Sequence, residues 1–322
     1  MAGRTSLITG PAVITHRGLT HYSDGTANIV ATLETADAQI MTDGLGPLDV
    51  RPTDAIMRVT LTPDGRLASA ADANGLFYTL GLAHGASIFT GTDLPLVVKP
   101  FDANQKKLTL MAAGITRPPV ITLRPGARMF GAMEWAGVRT AAGAWGGANT
   151  LVQWATNTGG VASHSFDARN VVTQPWTLTW DPDGAPVLED IDTVDGWTIT
   201  PEVTLERKTT ASNGTVDYTI SNVRVTVTGA AILTQAQLEA LTAESTASVL
   251  TAVRGASRAA YPLRLSCLDA VNQIDLPLAV PTVGAQLGWG TKANHRVQQV
   301  TFESLRGFSA GAPLPLLAFS EV

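Results

Sequence analysis

The sequence predicts a mainly β fold made of two tandem copies of one unit, and three observations carry that expectation. Arg58-Val59-Thr60-Leu61-Thr62 returns as Arg224-Val225-Thr226-Val227-Thr228, Pro95-Leu96 with Asp102-Ala103 returns as Pro262-Leu263 with Asp269-Ala270, and Thr32-Leu33-Glu34 returns as Thr204-Leu205-Glu206. Three matches in one order at nearly constant spacing mark a tandem duplication. Apolar residues make up 45% of the 322 residues against 15% charged, with 30 Gly and 18 Pro, the composition of a β-rich chain with many turns. Finally, short alternating segments bounded by Gly, Pro, Asn and Asp read as strands throughout. Two copies are too few for a solenoid, so each is expected to be a complete domain, at 1–139 and 174–322, joined by 140–173.

The first copy opens with a strand at Ala12-Val13-Ile14-Thr15, a turn at His16-Arg17-Gly18 and a second strand ending at Ser23-Asp24-Gly25. A hairpin follows, with arms Asn28 to Ala38 and Ala55 to Thr62. The Gly/Pro/Asp-rich stretch Met41-Thr42-Asp43-Gly44-Leu45-Gly46-Pro47-Leu48-Asp49 reads as a long loop between them, either mobile or ordered by a partner. Pro63-Asp64-Gly65 stops the strand. Leu67 to Leu80 reads as a helix interrupted at Asn74-Gly75, and strands resume at Leu94 to Phe101, Lys107 to Ile115, Val120 to Leu123 and Phe130 to Val138.

The second copy keeps this order. A strand at Trp176 to Trp180 precedes the turn Asp181-Pro182-Asp183-Gly184, and a hairpin has arms Trp197 to Lys208 and Val216 to Thr228. Asn213-Gly214 in its turn is the strongest short-range hairpin signal. Gln235 to Val253 reads as a helix capped by Thr234, with Ile232, Leu233, Leu238, Leu241, Val249, Leu250 and Val253 as its apolar stripe. Strands are expected at Leu263 to Leu268, Ile274 to Val280, Ala285 to Trp289 and Arg296 to Leu305. The connecting segment carries Trp145 and Trp154, so part of it is expected to pack on a domain or a neighbouring subunit.

Charge and chemistry exclude several function classes. The chain carries a net charge of −5, the acidity belongs to the second copy, and no Lys/Arg stripe offers a grip on nucleic-acid phosphates. Met1 to Gly10 lacks a signal-peptide core and no apolar run approaches the ~20 residues of a membrane helix, so synthesis in a cytoplasm is expected, with no membrane partner. The single Cys267 reads as a buried strand residue. Gly307-Phe308-Ser309-Ala310-Gly311 matches a nucleophile-elbow string, but no His follows it. Gly288-x-Gly290-x-x-Ala293 opens no helix. His16, His21, His84, His164 and His295 lack metal-ligand spacing. No catalytic residue, metal or cofactor is expected, and the protein reads as a non-enzyme. Asp181, Asp183, Glu189, Asp190, Asp192 and Asp195 crowd into one stretch without calcium-loop spacing, which leaves a solvated acidic turn, an ion site or a surface that repels another polyanion.

The opening Ile8-Thr9-Gly10-Pro11-Ala12-Val13-Ile14-Thr15, the order of strands, hairpin, helix and strands, and Phe130-Gly131-Ala132-Met133-Glu134-Trp135 resemble the major tail tube proteins of tailed bacteriophages. The resemblance covers 8–139 and, more faintly, 174–307. It implies a β-sandwich flanked by one helix in each copy, with inner strands of six such domains joining around a lumen through which DNA passes without specific binding. Self-association into stacked rings follows from it, trimeric and pseudo-hexameric if both copies take equivalent places in the barrel, or of six chains if the second copy decorates the outside; the first is favoured because the second copy keeps the whole order of elements. A place in the virion tail beside other tail proteins follows as well. Met41, Asp43, Gly44, Leu45, Gly46, Pro47, Leu48, Asn213 and Gly214 become candidate ring-to-ring contacts, and the acidic cluster becomes a candidate repulsive surface. The competing expectations are another tail component, such as a tip, terminator or contractile inner-tube protein, and a two-domain carbohydrate-binding adhesin. Trp145, Trp154, Trp176, Trp180 and Trp197 would be the adhesin's sugar platform.

Overall fold

The computed structural model describes residues 4–23, 29–42, 46–64, 70–90, 94–138, 151–157, 172, 174–181, 188–210, 214–253, 260–268, 272–282, 290–292, 295–306, 308–309 and 312–321. Strands predominate among the described residues, with two α-helices, so the fold is mainly β, as composition and alternation predict.

The first half runs β1 (Arg4–Ile8), β2 (Ala12–His16), β3 (Leu19–Tyr22), β4 (Ile29–Thr42), β5 (Gly46–Leu61), α1 (Ala70–Gly75), a 3₁₀ turn (Tyr78–Gly81), β6 (Leu96–Pro100), β7 (Lys106–Leu110), β8 (Ala113–Arg117), β9 (Ile121–Leu123), β10 (Met133–Gly137) and β11 (Val152–Thr156). One antiparallel sheet has the order β1-β4-β5-β10-β8 and another the order β11-β7-β6-β2-β3. The two share a core. On β2 the period-2 alternation turns Ala12, Ile14 and His16 inward, and the His16 ring meets the edge of Trp135 on β10 at 6.5 Å. Arg17 and Gly18, at φ 55° and 75°, form the two-residue turn joining β2 to β3. Both positive values suit the mirror-image turn that matches strand twist. A non-glycine residue is held there because Arg17 stacks 4.1 Å from the Tyr78 ring centroid and its Nη2 donates to the Thr90 carbonyl at 2.7 Å.

The second half runs β12 (Trp176–Trp180), β13 (Leu188–Thr193), β14 (Trp197–Thr210), β15 (Gly214–Ile232), α2 (Gln235–Val253), β16 (Tyr261–Cys267), β17 (Asn272–Pro281), β18 (Gly290–Lys292), β19 (His295–Ser304), the short pair β20 (Phe308–Ser309) and β21 (Ala312–Pro313), and β22 (Ala318–Glu321). Antiparallel pairings run from β12 through β13, β15, β19, β17 and β16 back to β12, a closed circuit. Trp180 and Phe302, with ring centroids 5.3 Å apart, belong to the core of this half with Leu178, Leu265 and Leu276. Helix α2 has the predicted bounds. Thr234 Oγ1 accepts the Gln237 amide at 3.2 Å while Gln237 Oε1 accepts the Thr234 amide at 2.9 Å, a reciprocal capping box.

The pairing scheme of the first half recurs in the second. β2 pairs with β3 and β6 as β12 pairs with β13 and β16, while β4, β5, β10 and β8 are matched by β14, β15, β19 and the end of β17. The register agrees at one diagnostic point. Thr60 faces Glu134 and Thr226 faces Glu303, and in each case the Arg two residues earlier reaches across: Arg58 Nη1 to Glu134 at 2.6 Å, Arg224 Nε to Glu303 at 3.0 Å. Burial opposes the charge on Arg58, yet its ion pairs with Glu34 and Glu134 raise its pKa above the ordinary value.

Several expectations need correction. Met41, Gly46, Pro47 and Leu48 lie on strands and not in a long loop, since β4 extends to Thr42 and β5 resumes at Gly46, with Thr42 opposite Gly46. Proline and glycine misled because a two-stranded ribbon has free edges where a missing N–H breaks no ladder. Asp43, Gly44 and Leu45 lie outside the described residues, as does Asn213. The helix expected at Leu67 to Leu80 is a short α1 followed by a 3₁₀ turn. There Asn74 turns its side chain to the backbone of Phe319, and a Cβ on Gly75 would sit 2.1 Å from Leu19 Cδ1. The single strand expected at Lys107 to Ile115 breaks into β7 and β8. The acidic stretch is no turn over most of its length: Glu189, Asp190 and Asp192 lie on β13, exposed, while Leu188 and Ile191 face inward. Asp181 sits in a turn at φ 63°, Asp195 is half-buried beyond β13, and Asp183 lies outside the described residues.

Candidate assembly surface

The features with functional consequence are the two hairpin arms. Past Pro201 on β14 and Val225 on β15, the second arm leaves the circuit and lies on the first half. Residues 85–88 run beside it, bridging at Ser87 opposite Thr219: Gly85 N donates to the Ile220 carbonyl at 2.7 Å, Ile220 N to the Ala86 carbonyl at 2.9 Å and Ile88 N to the Tyr218 carbonyl at 3.0 Å. Ser87 Oγ donates to Asp217 Oδ1 at 2.5 Å. Beneath the ribbon, Tyr218 and Ile220 form a buried cluster with Ile56, Ile88, Ala136 and Val138, flanked by Val203, Leu205 and Val223. Near the tip, buried Asp54 accepts the Thr215 amide at 2.7 Å and its hydroxyl at 2.8 Å, and pairs with Arg207.

Burial raises the Tyr218 phenol above its ordinary pKa, against the opposing pull of Arg58 and Arg207. Its hydroxyl has no hydrogen-bond partner among the described residues. A phenol that stays protonated longer in the folded state costs nothing below the unfolded pKa of about 10, and stability falls as pH rises beyond it. Tyr218→Phe is therefore expected to be neutral or slightly stabilising near pH ~8 and to reduce the loss near pH ~11, read as urea midpoints at the two values. An equal alkaline loss in the variant would remove Tyr218 from that account.

Two further seams tie the halves. β9 pairs with the start of β14, Leu123 opposite Trp197, so a strand of the first half extends the second half's sheet. At this seam Gly196 has φ 81° and a Cβ on it would meet the Leu123 carbonyl at 2.4 Å, so only glycine fits. Elsewhere Phe319 of β22 packs on Phe77 with ring centroids 5.4 Å apart, and Arg306 Nη2 donates to the Leu80 carbonyl at 3.1 Å.

The first arm meets the second at its base, through Asp54 and Ile56. β1 pairs with β4 only as far as Leu33, and β10 with β5 only from Met57. Beyond those points β4 and β5 pair with each other up to Thr42 and Gly46. Of the predicted contact residues, Met41, Gly46, Pro47 and Leu48 belong to this ribbon, and Gly214, at φ 65°, begins β15 at the tip of the other. The structure thus puts the two groups on corresponding arms.

Residues the sequence reading did not single out, Asp54, Ser87, Arg207, Thr215 and Tyr218, make the arm contact. The one available signal was an arm whose alternation continues, through Val203, Leu205, Tyr218 and Ile220, past the length a single sheet would cover. The acidic residues of β13 do not converge, and among the described residues no group of three or more His, Cys, Asp or Glu side chains is placed to hold a metal ion. No described helix is long and apolar enough to cross a membrane. The tryptophans do not form one face: Trp176, Trp180 and Trp197 are buried, Trp154 on β11 is 38% exposed, and Trp145 lies outside the described residues. In comparison with known proteins, the chain matches no family model and no curated sequence.

Proposed function

We propose that this protein is a structural subunit of a phage tail tube: copies of the chain join into rings, and the rings stack into a conduit for DNA in the virion, beside other tail proteins. The role is mechanical and assigns no catalytic step or cofactor. Each half is read as one tube-type sandwich unit. The observation that carries the reading is the recurrence of one pairing scheme twice in a chain, with β9 extending the next sheet along β14. Units that already join edge to edge within a molecule are suited to continue that way between molecules, and closure into a ring removes the free edges that otherwise invite uncontrolled pairing. With two units per chain, three chains complete a pseudo-hexameric ring.

Buried side chains fill the core of each half, so this reading places the lumen between chains. Exposed Glu189, Asp190 and Asp192 and a net charge of −5 suit a wall that repels phosphate and lets DNA slide. Burial of three of the five candidate platform tryptophans counts against a sugar-binding adhesin. A tail tip, terminator or contractile inner tube would share much of this chemistry and differ in copy number per particle.

The test is negative-stain imaging of the purified protein at increasing concentration. Hollow rings or rods are expected. Monomers of 33.7 kDa persisting under every condition, with no cognate particle containing many copies, would sink the reading.

A further inference from the structure

We infer that β1 is a displaceable cover on the edge of β4 by which one molecule joins the next. The inference rests on the self-association proposed above and says what regulates it. The two copies carry the same leader ahead of their first strand: Leu7-Ile8-Thr9-Gly10-Pro11 before β2 and Val171-Val172-Thr173-Gln174-Pro175 before β12. Both leaders end alike, with the Pro11 carbonyl accepting the Phe101 amide at 3.0 Å and the Pro175 carbonyl accepting the Leu268 amide at 3.1 Å. Ile8 and Val172 therefore hold one place in the repeat, ahead of the strands Ala12–His16 and Trp176–Trp180, whose burial alternates identically. Upstream of the proline the leaders part company. In the first copy the leader runs along its own half, Ile8 opposite Ile29 and Arg4 opposite Leu33. In the second, Val172 is bonded to the other half: its amide donates to the Ala127 carbonyl and its carbonyl accepts the Gly126 amide, each at 2.8 Å.

The occupant of the edge accounts for the difference. Thr60 and Thr226 hold the same ladder position, each facing its Glu, and across the hairpin Val30 faces Thr60 as Thr200 faces Thr226. Ile29 thus corresponds to Ile199, and both are fully buried. On the side away from the hairpin partner, Ile29 meets Ile8 of β1, whereas Ile199 meets Ile121 of β9, a strand of the preceding unit. Ile8 and Ile121 are both buried, so the same contact is made from two sources. The edge of a strand pairs with one partner at each residue. Where two units have joined, the strand of the preceding unit takes that position and the leader lies against that unit. Where the edge has not joined, the leader takes it. β1 is therefore the first copy's leader folded onto a joining edge, pairing backbone groups that otherwise invite another chain. A molecule that joins at this edge withdraws Ile8 and moves its leader to the kind of place that Val172 takes. A covered edge lowers the fraction of molecules able to join, which raises the concentration that assembly needs.

Two variants of the full chain test this. Leu7→Cys with Val30→Cys puts a cysteine pair on facing residues beside the contested position, and paired antiparallel strands bring such Cα atoms within disulfide reach. The native Cys267 is buried on β16. Oxidised, this variant is expected to stay monomeric in sedimentation velocity at concentrations where its dithiothreitol-treated form assembles. The second variant combines Arg4→Gly, Thr5→Gly, Ser6→Gly and Leu7→Gly, because glycine weakens strand pairing. It is expected to assemble at about tenfold lower concentration than wild type. Circular dichroism melts check that each variant is folded. An oxidised form that assembles like its reduced form, or a glycine variant that needs as much protein as wild type or more, overturns the inference, and hollow rods from wild type then leave the tube reading standing. Redox control of assemblies that enclose no lumen supports the inference and overturns the tube. Failure of wild type and both variants to assemble under any condition overturns both.

Discussion

Asp54→Ala is expected to destabilise the protein by about 2–4 kcal/mol and to loosen the β14–β15 arm from the first half. Asp54 is 6% exposed and its two carboxylate oxygens accept the Thr215 amide and hydroxyl. Alanine leaves that amide buried without an acceptor, since Thr215 is itself 0% exposed, and an unsatisfied buried donor costs about 1–3 kcal/mol. Arg207 adds less, because its side chain is 43% exposed and water replaces much of what the carboxylate supplied. Asp54→Asn keeps the volume and one acceptor oxygen, so about half the effect is expected. Urea unfolding measures the energy. Hydrogen exchange at Thr215, Ile220 and Ile88 measures the local opening, which should accelerate at these amides before others. An Asp54→Ala protein within about 0.5 kcal/mol of wild type would mean that the apolar cluster alone holds the arm.

The second large effect is expected at Trp197, where alanine should cost about 3–5 kcal/mol. Trp197 is fully buried at the start of β14, where that strand meets β9, and its ring lies against Gly229 of β15. Truncation opens a cavity at the seam between the halves. Gly229→Ala approaches the same contact from the other side: its methyl would stand 2.5 Å from Trp197 Cε3, and such overpacking costs about 1–3 kcal/mol. Because both changes act on one contact, the double variant should cost less than the two single costs added together, since the methyl no longer meets a ring. Strict additivity in denaturant unfolding would show that the tryptophan is not what constrains Gly229.

Much of this architecture is legible in particular residues. The Arg58 and Arg224 repeats mark corresponding ladder positions, and each Arg pairs with the Glu that faces the Thr two residues on. Thr234 with Gln237 marks where α2 begins, because a capping box is a contact between residues three apart and needs no tertiary information. The length of the first hairpin was not legible, because Gly44, Gly46 and Pro47 carry turn chemistry whether the turn is tight or wide, while the ladder that limits it depends on pairs such as Ile40 with Asp49. Strand β13 was hidden by its carboxylates and by a break in its alternation: the irregularity at Asp190, φ 47°, brings both Leu188 and Ile191 inward, where strict alternation would put them on opposite faces.

Local periodicity, turn residues and the internal repeat were sufficient to determine that the chain is β-rich, that each half carries a hairpin, and where the long helix lies, because each rests on residues close together in the chain. Only the tertiary structure decided that the second arm folds back on the first half. That outcome depends on Asp54 meeting Thr215 and on Ile56 meeting Tyr218 and Ile220, contacts between residues distant in sequence, so that neither partner's local context identifies the other.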